Sequence, residues 1–121
     1  DPPYEKASEY LDVVKGIQSV FKRWQQAQIV VWYPLLSERA GAKHGASESM
    51  CDKLAELGTP CFKAEICVSQ NTTDAGMYGS GVLVLNPPWQ LDQQLSDVLN
   101  EITPLMGESA SSSLQWLNQD N

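Results

Sequence analysis

Basic residues are missing from the second half of this 121-residue chain. All 8 lysines and arginines precede residue 64 and balance 8 acidic side chains, whereas residues 64–121 hold 7 acidic side chains and no base. A surface that binds nucleic-acid phosphates needs clustered lysine and arginine. This absence excludes the C-terminal half as such a surface. The candidates for phosphate contacts are Lys22, Arg23, Arg39 and Lys43, although each is also typical of a solvated helix end or loop.

Metal and redox motifs are absent as well. His44 is the single histidine, and Cys51, Cys61 and Cys67 are odd in number and form no CxxC pair. A structural metal site needs paired ligands at short spacing, and a secreted disulfide framework uses an even number of cysteines. We therefore expect no metal site, inert thiols and a reducing compartment, the cytoplasm.

No apolar run approaches the roughly 20 residues that cross a bilayer, so no membrane segment is expected. The start also lacks the basic and then apolar layout of a secretory signal. With 42% hydrophobic residues, the chain can fill one modest core, but a complete two-layer nucleotide enzyme is larger. We expect residues 1–121 to form one domain at most, and part of a larger enzyme rather than all of it.

The chain opens with D-P-P-Y, which is a signature of enzymes that methylate an exocyclic amine of a nucleobase. That amine is a poor nucleophile because its lone pair is delocalised into the ring. A carboxylate and a carbonyl can accept its two hydrogens, while consecutive prolines fix the direction of the carbonyl. The acceptors would be Asp1 and the Pro2 carbonyl, Pro3 would hold the turn, and Tyr4 would stack on a flipped base. A rigid turn before a helix is the alternative.

Hydrophobic periodicity predicts the elements that follow. Helices are expected from Ser8, as N-cap, to about residue 24, from about residue 47 to 57, and after the prolines of the 86–88 segment. Strands are expected at 28–33, 62–69 and 81–85, with a short edge strand within 109–117. The segments 37–47 and 70–80 are polar and rich in small residues, so we expect loops there, or a weak helix in the first.

The strand at 28–33 is continuously apolar and is stopped by Pro34, which is typical of a central parallel strand buried on both faces. No helix separates the next two strands, so they are expected to form an antiparallel hairpin. Tyr33, Met77 and Tyr78 would then lie at the D-P-P-Y edge and could wall a base pocket, although ordinary packing also accounts for each. A second copy of the pattern, N-P-P-W from Asn86, would lie at the opposite edge as a helix start.

The order of D-P-P-Y-E, an amphipathic helix, V-W-Y-P, G-M, S-G and V-L-V-L-N-P-P-W-Q-L-D-Q-Q-L resembles the C-terminal half of the bacterial 23S ribosomal RNA adenine N6-methyltransferases. That family is also described as acting in the catabolism of external DNA. The resemblance spans nearly the whole chain. The N-P-P-W stretch is its most specific part, since many amino-methyltransferases share D-P-P-Y.

This resemblance implies an α/β fold, the C-terminal part of a class I Rossmann-like methyltransferase, with a mixed sheet, an antiparallel strand and flanking helices. It implies S-adenosyl-L-methionine as cofactor and 23S ribosomal RNA, free of protein, as partner. The family's glycine-rich cofactor loop and acidic ribose-binding residue have no counterpart here, so we expect the N-terminal cofactor-binding half to be absent and this piece to be inactive alone. A sheet cut in this way should self-associate through its exposed edge.

Two other functions remain open at this stage. A DNA amino-methyltransferase would use the same motif, because both substrates present an exocyclic amine. A non-catalytic protein for the uptake or use of external DNA is the alternative from another class.

Overall fold

The computed structural model describes residues 4–70 and 76–119. The chain forms α1 (Ser8–Arg23), β1 (Ile29–Leu36), a 3-10 segment (Glu38–Lys43), α2 (Ala46–Ala55), β2 (Cys61–Cys67), β3 (Met77–Leu85), α3 (Leu91–Ile102), a second 3-10 turn (Thr103–Met106) and β4 (Ser111–Asn118). All three predicted helices are present, and the edge strand predicted within 109–117 is confirmed as β4. The first predicted loop contains the 3-10 segment.

The four strands lie side by side in the order β1-β3-β2-β4, and each neighbouring pair is antiparallel. The predicted hairpin of β2 and β3 is confirmed. The expectation of a mixed sheet with one antiparallel strand needs correction for the described residues, because β3 enters between β1 and β2. These two strands run in the same direction without touching, and β4 adds a second reversal at the far edge.

The prediction for β1 was wrong in two respects. The strand continues past Pro34 to Leu36, which is possible because proline is tolerated on an edge strand. Its apolar residues are also not all covered: Val31 is buried, whereas Val30 is 65% exposed and Trp32 is 39% exposed. Within the described residues β1 pairs with β3 alone, so it lies at an edge rather than at the centre. Self-association through this edge stays a prediction.

Several predicted element boundaries also move. Ser8 is not the N-cap of α1, since Ala7 occupies that position and no side chain caps the helix. The second strand ends at Cys67 rather than residue 69. The third begins at Met77, so Met77 and Tyr78 belong to a strand and not to a loop. The proline pair before α3 lies outside that helix, which begins at Leu91.

The sheet separates two hydrophobic clusters. On one face, α1 and α2 contribute apolar side chains such as Val14, Phe21 and Leu54, which pack with Leu83 and Leu85 of β3. On the other face, α3 packs half-buried leucines against a smaller cluster that comprises Phe62, Ala64 and Val84. The first cluster also contains Tyr4, the first residue that the structure describes.

Candidate active site

Tyr4 is the first described residue, and Asp1, Pro2 and Pro3 lie outside the described residues. Its phenol hydroxyl donates a hydrogen bond of 2.6 Å to the backbone carbonyl of Trp32, on β1. Its φ of 55° is in the left-handed region, which a tyrosine rarely adopts and which makes a sharp turn before α1. The end of the D-P-P-Y motif is therefore anchored to the middle of β1.

The Tyr4 ring is 3% exposed and belongs to an aromatic group. Its centroid lies 4.6 Å from that of Tyr10 and 5.9 Å from that of Trp32, both in tilted geometry. Burial, with a further contribution from Tyr10, raises the pKa of Tyr4 to about 12. The phenol therefore stays protonated at neutral pH and acts as a donor to the strand.

Tyr10 is also buried, and its hydroxyl has no hydrogen-bond partner within the part of the chain that the structure describes. Burial raises the pKa of Tyr10 above its ordinary value. The Ser47 hydroxyl, at the start of α2, donates a buried hydrogen bond of 2.7 Å to the Pro34 carbonyl. This bond ties the first turn of α2 to the last residues of β1.

Tyr33 lies in the core rather than on the surface where a base pocket was predicted. It is 1% exposed, and its hydroxyl donates a hydrogen bond of 2.8 Å to Glu65 Oε2. The ring crosses Gly81, which stands opposite both residues in the sheet register. Tyr33 therefore connects three strands.

Tyr78 and Lys43 are brought together in the structure, whereas the sequence analysis placed only Tyr78 at the D-P-P-Y edge. They line a cavity of about 140 Å³ between the end of β1 and the start of α2. The other lining residues are Pro34, Leu35, Leu36, His44, Gly45, Ser47 and Glu48. His44 and the acidic Glu48 were missed as site residues, because a polar stretch rich in glycine and alanine gives no periodic signal. Met77, beside Tyr78, is 51% exposed.

The other predicted phosphate contacts fall at two different edges. Arg39 belongs to the 3-10 segment that ends at Lys43, and hence to the Tyr4 side. Lys22 and Arg23 are exposed in the last turn of α1, where cations complement the helix dipole. Since α1 begins next to Tyr4 and spans 16 residues, its last turn is roughly 20 Å from that end.

The N-P-P-W copy lies at the opposite edge, as predicted. Asn86 has a φ of 54°, and its side-chain amide donates hydrogen bonds to the carbonyls of Gln25 at 2.9 Å and Ala27 at 3.0 Å. Trp89 is 87% exposed beside a separate cavity of about 300 Å³. The Asn86 amide is thus committed to the segment that joins α1 to β1, which is a structural role.

Within residues 4–70 and 76–119, no cluster of three or more histidine, cysteine or acidic side chains is arranged to hold a metal ion. Cys51, Cys61 and Cys67 are free thiols. Burial raises the pKa of the Cys51 thiol to about 12. No helix among the described residues is long and apolar enough to cross a membrane.

Residues 4–70 and 76–119 show no recognisable site for S-adenosyl-L-methionine, the cofactor that the sequence resemblance implies. Such a site normally needs a glycine-rich turn between a strand and a helix. Gly79 and Gly81 lie instead inside β3, where they admit close neighbours. The described residues therefore do not form a cofactor site of this kind.

Comparisons with known proteins agree with this partial architecture. The RsmJ family model, described as Ribosomal RNA large subunit methyltransferase D, RlmJ, matches residues 1–118. Two curated relatives are each named Ribosomal RNA large subunit methyltransferase J. The relative from Haemophilus influenzae is 28% identical over 99% of this chain and 42% of its own length. The relative from Escherichia coli K12 is 33% identical over 82% of this chain and 34% of its own.

A solved structure shares the fold. The crystal structure of protein LPL1258 from Legionella pneumophila, with the family description DUF519, superposes with a TM-score of 0.82 at 23% identity. The match covers 95% of this chain and 41% of that protein. The chain therefore spans between about one third and two-fifths of the length of these proteins.

Proposed function

Because this chain belongs to the ribosomal RNA large subunit methyltransferase family, whose model matches residues 1–118, we propose that the protein carrying it methylates the N6 amine of an adenine in 23S ribosomal RNA. The observation that best supports this function is the anchored end of D-P-P-Y. Tyr4 is fixed to β1 by its hydroxyl and turns directly into α1. A catalytic role for the motif requires a helix and a strand beside it, and α1 and β1 occupy these positions.

In the proposed reaction, the Asp1 carboxylate and the Pro2 carbonyl accept the two hydrogens of the adenine amine. This draws the nitrogen lone pair out of conjugation and aims it at the methyl donor. The donor proposed is S-adenosyl-L-methionine, held by parts of the protein other than the described residues. The family membership and the opening motif support this assignment.

Tyr4 is proposed as the platform for the flipped adenine. In the present fold its ring is covered by Tyr10 and Trp32, so a base can stack on it only after the ring turns outward and releases the Trp32 carbonyl. The Tyr4→Phe variant keeps an aromatic face and loses this anchor, whereas Tyr4→Ala loses both. We expect Tyr4→Phe to retain methyl transfer and Tyr4→Ala to lose most of it.

The distribution of basic residues along the chain favours the approach of RNA from the Tyr4 edge over an approach from the C-terminal half. Arg39 and Lys43 lie at the Tyr4 edge together with His44, although the acidic Glu38 and Glu48 lie there as well. By contrast, residues 64–121 carry acidic side chains and no lysine or arginine. Contacts of Lys22 and Arg23 with phosphate stay a prediction that concerns a more distant part of the RNA.

The test is incorporation of tritiated methyl groups by the protein that contains this chain. Protein-free 23S RNA, assembled large subunits and duplex DNA are offered separately, and we expect transfer to the free RNA. Asp1→Ala should lower the rate about 100-fold or more and leave binding of S-adenosyl-L-methionine, measured by calorimetry, intact. Asn86→Gly is the matched control, and its rate should be unchanged at temperatures where it is folded.

Three outcomes would overturn parts of this proposal. Full activity of Asp1→Ala would remove the catalytic role of the motif. Loss of activity in Asn86→Gly alone would transfer that role to the second copy. Methyl incorporation into duplex DNA in place of RNA would make the protein a DNA amino-methyltransferase.

A further inference from the structure

The cavity between β1 and α2 has the size of one aromatic ring. Its volume is about 140 Å³, close to the roughly 150 Å³ of an apolar protein cavity that binds benzene. It is too small for a whole nucleotide, since sites for drug-sized ligands occupy about 300 Å³ or more. A flat ring of six atoms can enter, while a fused double ring would project from it.

The walls of this cavity suit the faces of such a ring. Pro34, Leu35 and Leu36 contribute apolar surface from the end of β1, and Tyr78 adds an aromatic side chain from β3. Tyr78 is half-buried, and burial raises its pKa, so its hydroxyl is protonated at neutral pH. Stacking on aromatic and apolar side chains is the common means of holding an unstacked base.

The rim offers both donors and acceptors. The Nδ1 atom of His44 lies 3.1 Å from the Leu36 carbonyl, an arrangement in which Nδ1 carries the proton and leaves Nε2 as the remaining polar atom. Lys43 adds donors, and the Glu48 carboxylate adds acceptors. Because Glu48 offsets the charge of Lys43, the rim suits the mixed edge of a neutral base better than a free phosphate.

The position of the cavity connects it to the catalytic loop. Tyr4 is bonded to the Trp32 carbonyl, and Ser47 at the cavity is bonded to the Pro34 carbonyl. Two residues along a strand separate these carbonyls by about 7 Å. The cavity and Tyr4 are therefore close enough to receive neighbouring nucleotides of one strand.

We propose that this cavity is a second base site, which takes a pyrimidine of the substrate RNA next to the target adenine. The proposal rests on the proposed function for the identity of the substrate. It adds a determinant of sequence context, in which His44 and Glu48 read the edge of the base and Tyr78 stacks on its face.

The binding test is titration of the protein with single nucleotides, followed by the imidazole NMR signals of His44, which are assigned by their loss in His44→Gln. We expect saturating shifts with uridine or cytidine 5′-monophosphate and markedly smaller ones with adenosine or guanosine 5′-monophosphate. Ribose 5-phosphate and inorganic phosphate are the controls. Equal shifts with inorganic phosphate, or no shift with any nucleotide, would overturn the proposal.

The functional test compares the KM for RNA in three variants. His44→Gln and Glu48→Gln change exposed side chains, so both should fold, and each should raise the KM about threefold to tenfold with kcat little changed, as expected for the loss of one hydrogen bond. Lys53→Gln, on an exposed face of α2 away from the cavity, should leave the KM unchanged. With an RNA that lacks the base beside the target adenine, His44→Gln and the unsubstituted protein should have the same KM.

The two proposals fail in different ways. One result is that the protein containing this chain methylates RNA, but neither His44→Gln nor Glu48→Gln changes the KM for RNA. The second base site is then wrong while the proposed function stands. If no RNA is methylated but pyrimidine nucleotides shift the His44 signals selectively, the base site stands and the proposed function is wrong.

Discussion

Replacing Gly81 with alanine tests how the sheet is packed around the Tyr33 side chain. A Cβ atom at this position would lie 2.6 Å from both Cζ and the hydroxyl oxygen of Tyr33, well inside van der Waals contact. The Tyr33 ring cannot yield easily, because it is 1% exposed and is tied to Glu65. The added methyl group must therefore displace a packed ring or the strand itself.

The expected cost follows from two effects. Overpacking of a filled core costs about 1–3 kcal/mol, and weakening the hydrogen bond to a charged Glu65 adds about 1–2 kcal/mol. Alanine has less conformational entropy than glycine in the unfolded chain, which stabilises the folded state by roughly 0.4–1 kcal/mol. The net loss of unfolding free energy should be about 1–4.5 kcal/mol, centred near 3 kcal/mol, which is a large share of the roughly 5–15 kcal/mol of an ordinary domain.

Gly16→Ala is the matched control, because it makes the same chemical change in the middle of α1, where a new Cβ meets nothing within 4 Å. It should stabilise the protein by roughly 0.5–1 kcal/mol. Urea unfolding measures both, and the midpoints should move in opposite directions at equal m-values. A double variant, Gly81→Ala with Tyr33→Leu, should cost less than the sum of its single changes. Strict additivity, or a Gly81→Ala midpoint equal to that of the parent, would refute the packing argument.

Two further predictions concern other parts of the molecule. Asn86→Ala and Asn86→Gly both lose two hydrogen bonds, but only the alanine variant holds a Cβ atom at a φ of 54°. Thermal unfolding should therefore show Asn86→Ala to be less stable than Asn86→Gly by about 1 kcal/mol; equal stability would mean that the backbone relaxes. Burial raises the pKa of Cys51 from 9.0 to about 12. The unfolded thiol therefore ionises first, and stability present below pH 9 should be lost between pH 9 and pH 12. Cys51→Ala should flatten this slope by up to about 1.4 kcal/mol per pH unit, and an unchanged slope would assign the alkaline loss to other groups.

The elements with strong periodicity could be predicted from the sequence. Val14, Ile17 and Phe21 repeat at helical spacing and form the buried side of α1. The start of β3 could not, because Gly79 and Ser80 have low strand propensity. These residues are in the sheet because Gly79 permits close approach: a Cβ there would collide with the Ile66 carbonyl oxygen and lie 2.9 Å from the Cys67 Cα.

The candidate site was predictable where a motif or a compositional contrast existed. The D-P-P-Y pattern led to Tyr4, and its anchor on Trp32 agrees with the expected strand beside it. Tyr33 was assigned to a pocket because it ends an apolar run, but its side chain turns into the core to reach Glu65. The sequence around Tyr33 gives no signal for a contact with a residue 32 positions away.

The central place of β3 has a consequence for the order in which this protein is made. Its neighbours β1 and β2 are synthesised first, and they do not pair with each other. In the folded sheet they lie about 10 Å apart, which is two strand spacings. The space between them stays unfilled until residues 77–85, which form β3, have been synthesised. Until then each strand offers an open edge to other chains. We therefore expect truncated chains that end before residue 77 to aggregate, and chains that end after residue 85 to be the first that can close the three-stranded core.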